Sequence, residues 1–162
     1  MKEKIPPKNP LVLALKRLTY RAASCKEIDD YLTKAGFTAA QREIVLQQLK
    51  EWRYLDDRKL AISLCAEYQQ HKHMGYSLIC QKLRQKGIPH DDILAALEHY
   101  DEAQELEAAE YLAEKYLLRA EKDEQPEPER ICKIKSALAR HLQRKGFSRA
   151  ITLKIINQRF PE

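Results

Sequence analysis

Apolar residues recur along this chain in steps of three and four, and three times the pattern closes on a glycine. Ile28 and Leu32 precede Gly36, Ile79 and Leu83 precede Gly87, and Leu138 and Leu142 precede Gly146, each pair eight and four residues ahead. That spacing puts both apolar side chains on one helical face. Phe37, Ile88 and Phe147 follow the glycines directly. The arrangement predicts a left-handed glycine ending each helix, with the next apolar side chain folding back onto it. The unit is written three times, 51 and then 59 residues apart, which marks a tandem array. Only Gly75 is left over, so the chain offers no glycine-rich phosphate cradle.

The intervening pattern predicts six further helices. Leu11, Leu15 and Leu18 mark the first. Ser24 with Glu27, and Thr38 with Gln41, read as capping boxes opening the second and third. The third carries Val45, Leu46 and Leu49 and reaches about Trp52. Asp56 is the expected N-cap of a fourth helix over 58–70, with a turn through His71 to Tyr76. Pro89 begins a sixth, and Asp91 and Asp92 suit its positive end. Leu106, Ala109, Leu112, Ala113 and Tyr116 form the stripe of a seventh over 102–119. Residues 121–129, with Pro126 and Pro128 among acids, read as a flexible joint that limited proteolysis should cut first. The eighth helix turns Ile131, Ile134, Leu138 and Leu142 inward; the ninth starts at Ser148 and carries Ile151, Ile155 and Ile156.

No stretch alternates as a strand would. The expected fold is therefore all-α: three tandem three-helix, helix-turn-helix-like repeats forming an elongated, curved array. The expected boundaries are 1–54 with an N-terminal extension, 55–100, and 101–162 with the acidic joint.

Composition narrows the classes. Charged residues make up 33% of the 162 and aromatics 7%, which suits exposed helices. No apolar run approaches the roughly 18 residues of a membrane span, and the start lacks a signal-peptide core, so the expected location is the cytoplasm. The formal charge of +5 is uneven. Residues 1–60 hold 13 Lys/Arg against 8 Asp/Glu, 61–100 hold 4 against 4, 101–130 hold 4 against 11, and 131–162 hold 8 against 1. Two basic ends flank an acidic segment, and basic surface suits a polyanion or an acidic protein groove.

Cys25, Cys65, Cys80 and Cys132 lack Cys-x-x-Cys spacing and read as buried free thiols in helices. A zinc site from Cys65, His71, His73 and Cys80 is the alternative, with no common ligand spacing behind it. Asp56 and Asp57 could be metal carboxylates, but capping explains Asp56 more simply. No nucleophile elbow, His-Glu-x-x-His or Walker lysine is present, so the chain reads as no enzyme, with no cofactor and no metal.

A helix, a short glycine turn and a second helix is also the plan of a helix-turn-helix, whose second helix reads DNA. The residues available after the three glycines are Gln41, Arg42 and Gln48, then His90, Asp91 and Asp92, then Arg149, Lys154 and Gln158. The middle set is acidic and would repel phosphate, so reading by all three units is not expected. The helices before the glycines are more suggestive. Lys133, Arg140 and Arg144 form one stripe nearly opposite Ile134, Leu138 and Leu142, with Lys135 and Lys145 on its flanks. Lys82, Arg84 and Lys86 crowd one end of the fifth helix. Such a stripe is either the wet face of a helix or a contact surface for a polyanionic partner.

Tyr54-Leu55-Asp56-Asp57, Leu60-Ala61, and the run Gly75, Ile79, Leu83-Arg-Gln-Lys-Gly87-Ile88 resemble the signature of the RecX family, bacterial regulators of the RecA recombinase. Ala14 to Leu18, Ser24 to Leu32 and Leu142 to Phe147 extend the resemblance over about 140 residues. It implies a small protein of three tandem three-helix repeats that binds the RecA filament in its deep groove, with DNA close by. It implies limited filament extension, lowered strand-exchange and ATPase activity, and no catalysis by the chain itself. A monomer with weak direct DNA binding is expected. The candidate contacts are Lys72, Lys82, Arg84, Lys86, Lys133, Arg140, Arg144 and Lys145; Gly36, Tyr54, Asp56, Asp57, Gly75, Gly87 and Gly146 are the structural signature. The sequence departs from the pattern at 69–76. There the family tends to have an arginine-rich run and a Gly-x-Gly-Pro turn, whereas this chain has Gln69-Gln70-His71-Lys72-His73-Met74-Gly75-Tyr76, one residue longer. Lys72 is the one full positive charge in it, and His71 and His73 would charge below about pH 6.5. Leu60 stands where an aromatic is usual. The alternatives are a helix-turn-helix array that binds nucleic acid without a RecA role, and a helical adaptor for another protein.

Overall fold

The computed structural model describes residues 9–120 and 128–161. Among them are nine α-helices and no strand: α1 (Pro10–Tyr20), α2 (Cys25–Lys34), α3 (Ala39–Glu51), α4 (Asp57–Gln70), α5 (Tyr76–Gln85), α6 (His90–Leu97), α7 (Glu102–Ala120), α8 (Pro128–Arg144) and α9 (Arg149–Arg159). None of them is long and apolar enough to cross a membrane.

Local chemistry sets the helix starts. Both expected capping boxes form: Ser24 and Glu27 exchange hydrogen bonds at α2, and Thr38 and Gln41 do so at α3. Asp56 Oδ1 accepts the Lys59 N–H at 2.9 Å and caps α4. Asp101 does the same for α7 through Gln104, at 2.9 Å, a cap the apolar stripe gave no reason to seek. Pro89 stands one position earlier than expected: α6 begins at His90, and the Pro89 carbonyl accepts the Ile93 N–H at 3.1 Å. Pro128 opens α8, so two residues expected in the flexible joint are helical. The rest of that segment, 121–127, lies outside the described residues.

The helix ends repeat. Gly36, Gly87 and Gly146 have φ of 92°, 73° and 89°. Each glycine N–H reaches the carbonyl three residues back, at 3.0, 2.8 and 3.0 Å. The next residue's N–H returns to Leu32, Leu83 or Leu142, each at 3.2 Å. Phe37, Ile88 and Phe147 are buried, as a Schellman cap with its apolar contact requires. Arg53 (φ 58°) and His73 (φ 46°) take the left-handed position after α3 and α4, which costs a residue with a Cβ roughly 1–2 kcal/mol.

By backbone proximity the chain divides into two compact units, 1–63 with 83–96, and 64–82 with 97–162. In the first, α1, α2 and α3 pack pairwise around Ala14, Ile28, Leu32, Val45, Leu49 and Leu55. In the second, α7, α8 and α9 pack pairwise around Ala109, Ala113, Leu138, Leu142, Phe147, Ile151 and Ile155. The expected middle triplet is divided between the units, because the boundaries fall within α4 and α5.

One contact recurs in both. In the first unit the Ser24 hydroxyl, at the start of α2, donates to the Lys86 carbonyl in the α5–α6 turn. In the second the Gly75 N–H, at the start of α5, donates to the Lys145 carbonyl in the α8–α9 turn, at 2.8 Å. Gly75 lies 51 residues after Ser24, and Lys145 lies 59 after Lys86, the same offsets that separate the three glycines. In each unit a helix start thus meets a glycine turn later in the chain, at equivalent offsets.

Candidate functional site

The signature around Tyr54 is architectural. Leu55 is buried in the first unit's core, and Asp56 caps α4. Asp57 Oδ1 accepts the Cys25 N–H at 2.9 Å, tying α4 to the first residue of α2. Both carboxylates therefore serve backbone donors at helix starts, where negative charge is favoured. Tyr54 is exposed and meets Trp52 edge to face, with ring centroids 6.4 Å apart.

The thiols split. Cys65 and Cys80 are buried and Cys25 is partly so, but Cys132 is exposed, against expectation. It sits beside Lys133 on the solvent face of α8, one residue round from the inward-turned Ile131. Burial, with Cys80 nearby, raises the Cys65 thiol to about 11; burial and the Asp57 carboxylate raise Cys25 equally far. Among the described residues no group of His, Cys, Asp and Glu is placed to hold a metal ion, so the alternative zinc grouping of Cys65, His71, His73 and Cys80 does not assemble.

The basic candidates have different surroundings. On α8, Lys133, Arg140 and Arg144 are exposed, while Leu138 and Leu142 opposite them are fully buried. Lys135 lies over the Phe160 ring, 5.5 Å from its centroid. On α5, Arg84 is exposed and Lys82 is half-buried. Lys86 is half-buried and paired with Glu27 at 3.0 Å. Burial alone would raise the Glu27 carboxyl, but the Ser24 N–H and the Lys86 and Arg21 charges hold it below its usual range. Lys86 therefore contributes to the first unit's packing through both side chain and carbonyl. Lys82 belongs to the same unit as α8, Arg84 and Lys86 to the other. Lys72 is paired with Glu67 at 2.5 Å and lies over the Tyr68 ring.

Within the second unit the fold builds a feature that no single segment announces. The turn after α4 supplies His71, Lys72, His73 and Met74; α7 supplies Tyr111, Leu112, Lys115, Tyr116 and Arg119; His141 and Lys145 come from the end of α8. They line an open cleft of about 420 Å³, with no carboxylate among the described residues that line it. The His73 ring stacks on Tyr111, centroids 4.2 Å apart, and His141 lies 5.1 Å from Tyr116. Lys115 stands 5.5 Å from the centre of the Tyr111 ring. Burial lowers the pKa of both His73 and His141. Lys115, His71 and Lys145 add to the effect at His73, and Lys145, Arg144 and Arg119 at His141. The exposed α8 stripe therefore adjoins the cleft electrostatically through Arg144. Of the residues expected to contact a partner, only Lys72 and Lys145 line it.

Glycine-capped helix pairs, a docking contact that recurs at the repeat offsets, and a cationic cleft with aromatic walls define an all-α protein with a basic helical surface. The chain belongs to the RecX family. It is 35% identical over 135 residues to the regulatory protein RecX of Bacillus licheniformis, covering 83% of this chain and 49% of that one. To the regulatory protein RecX of Bacillus pumilus it is 32% identical over 147 residues, covering 91% and 54%. The chain thus spans about half the length of the curated relatives it matches. A crystal structure of a regulatory protein RecX superposes with a TM-score of 0.74 at 29% identity, over 90% of this chain and 69% of that one. The crystal structure of RecX from Lactobacillus salivarius shares the fold, with a TM-score of 0.76 at 24% identity over 92% and 93%. No family model matches the chain.

Proposed function

We propose that the chain regulates the RecA recombinase, mainly as an inhibitor, by binding the RecA–DNA filament and without catalysis of its own. The observation that carries this is the likeness to proteins named regulatory protein RecX over most of the chain. The exposed row of Lys133, Arg140 and Arg144 supports it, because a helix face whose one acid is Glu129 in the first turn suits a DNA-filled groove. In this reading the protein is a cytoplasmic monomer, and the three triplets at 1–54, 55–100 and 101–162 are its repeats. The recurring contact at Ser24–Lys86 and Gly75–Lys145 supports that partition. The test is RecA ATPase activity on single-stranded DNA, read together with filament length. Substoichiometric protein should lower both; rates and lengths left untouched would overturn the reading.

The cationic cleft favours a second reading, a nucleic-acid-binding helical array with no RecA role. Binding to bare DNA with no effect on RecA under the same conditions would select it.

A further inference from the structure

The cleft between the α4–α5 turn, α7 and the end of α8 holds two kinds of positive charge. Lys115, Arg119 and Lys145 bring fixed positive charge, and no carboxylate is among the described residues lining the cleft with them. His73 and His141 are different: each is packed against a tyrosine ring and sits among those fixed cations. Packing on an aromatic wall fixes each imidazole in place, and the neighbouring cations oppose its protonation. Bringing in an anion reverses that balance, since a group with two or more negative oxygens offsets the cations and accepts from an imidazolium. The cavity of about 420 Å³ is far larger than one water and admits a phosphate group with part of what it is attached to. Phosphate fits better than an acidic peptide, because cations from α7 and from the end of α8 line one compact cleft, which suits a small anion of high charge density.

We propose that this cleft is a proton-switched site for a phosphate group, held by Lys115, Arg119 and Lys145 and gated by protonation of His73 and His141. His73 meets Tyr111 and Lys115 from α7, Lys145 from α8 and His71 from its own turn. On its other side it borders a second cleft, whose lining includes Glu107. His141 meets Tyr116 and Arg119 from α7 and Arg144 and Lys145 from its own helix. Binding and protonation are therefore linked: the phosphate draws protons onto the two rings, and acidification strengthens binding. Nothing in the proposal requires RecA, so it stands or falls separately from the filament reading.

The test uses the whole chain alone, with inorganic phosphate and a labelled oligothymidylate as separate probes at constant ionic strength. Binding of at least one probe should tighten roughly tenfold between about pH 7.5 and about pH 5.5. Which probe binds identifies the source, a free anion or a nucleic-acid strand. The double variant His73→Gln with His141→Gln should lose the pH dependence of binding. Lys115→Gln with Lys145→Gln should weaken binding at both ends of the range. Histidine ring titration by NMR on the unaltered protein needs no variant to fold. Saturating probe should move the His73 and His141 midpoints upward. Midpoints unmoved by both probes, full pH dependence in the double histidine variant, or equal pH-dependent binding of polyglutamate would overturn the proposal.

Discussion

Gly75 lies against the backbone of Gly146. A Cβ on Gly75 would stand 2.5 Å from both the carbonyl carbon and the carbonyl oxygen of Gly146, and 2.6 Å from the Phe147 nitrogen. The Gly75 N–H donates to the Lys145 carbonyl and the Ser77 N–H to the Gly146 carbonyl, at 2.8 and 3.2 Å. Two backbones can come this close only where neither carries a side chain. Gly75 is therefore required by space, whereas Gly36, with nothing within 4 Å of such a Cβ, is required by its φ alone.

The three glycine-to-alanine variants should separate accordingly. Gly36→Ala strains only the left-handed cap and should cost on the order of 1 kcal/mol. Gly75→Ala pushes backbone from backbone and should cost about 2–3 kcal/mol. Gly146→Ala combines a positive φ with a clash against Leu78 and should cost at least as much as Gly75→Ala. Urea melts rank the three; equal losses at Gly36 and Gly75 would contradict the close approach.

The Glu27–Lys86 pair should give the first unit an acid-sensitive component. The folded Glu27 carboxyl sits below its ordinary value of 4.5, so its contribution is fully present above that value. It is lost as pH falls through the depressed folded value. The stability difference between the native chain and Glu27→Gln should therefore be largest near neutral pH and shrink below about pH 4. Melting temperatures over that range check it. Ser24→Ala removes the cap of α2 and its bond to Lys86, and should cost about 1–2 kcal/mol.

Thiol labelling should resolve the four cysteines. Cys132 is exposed and should react first with a thiol reagent at mildly alkaline pH. Cys65 and Cys25, raised to about 11, and the buried Cys80 should react at rates set by opening of the fold. One fast equivalent followed by a slow phase is the expected trace, and Cys132→Ser should remove the fast one.

Replacing Lys133, Arg140 and Arg144 together by glutamine should leave the melt nearly unchanged, since the buried Leu138 and Leu142 lie opposite. On the proposed filament reading, it should weaken binding to the RecA filament. If all three meet phosphate, the slope of log affinity against log salt should fall by roughly 2. A triple variant that stays folded and inhibits RecA as well as the parent would mark the row as solvated surface only.

What the sequence by itself determined is local. Helix starts at Ser24, Thr38, Asp56 and Ser148, and ends at three glycines, were legible because a cap involves residues three or four apart. The buried pairs before each glycine were legible for the same reason, since one helical period carries the whole signal. Tertiary structure alone decided the cleft. His71 and His73 read as turn residues, Lys115 and Arg119 were hidden in a segment with 11 acids against 4 bases, and Lys145 read as a flank of the α8 stripe. Charge summed along a segment averages over all faces of a helix, whereas a cleft collects one face from each of three elements. Tertiary structure also decided why Gly75 is glycine and why Lys86 is not free. Both depend on a partner about 60 or 70 residues away in the chain, and no local period encodes which helix start will meet which turn.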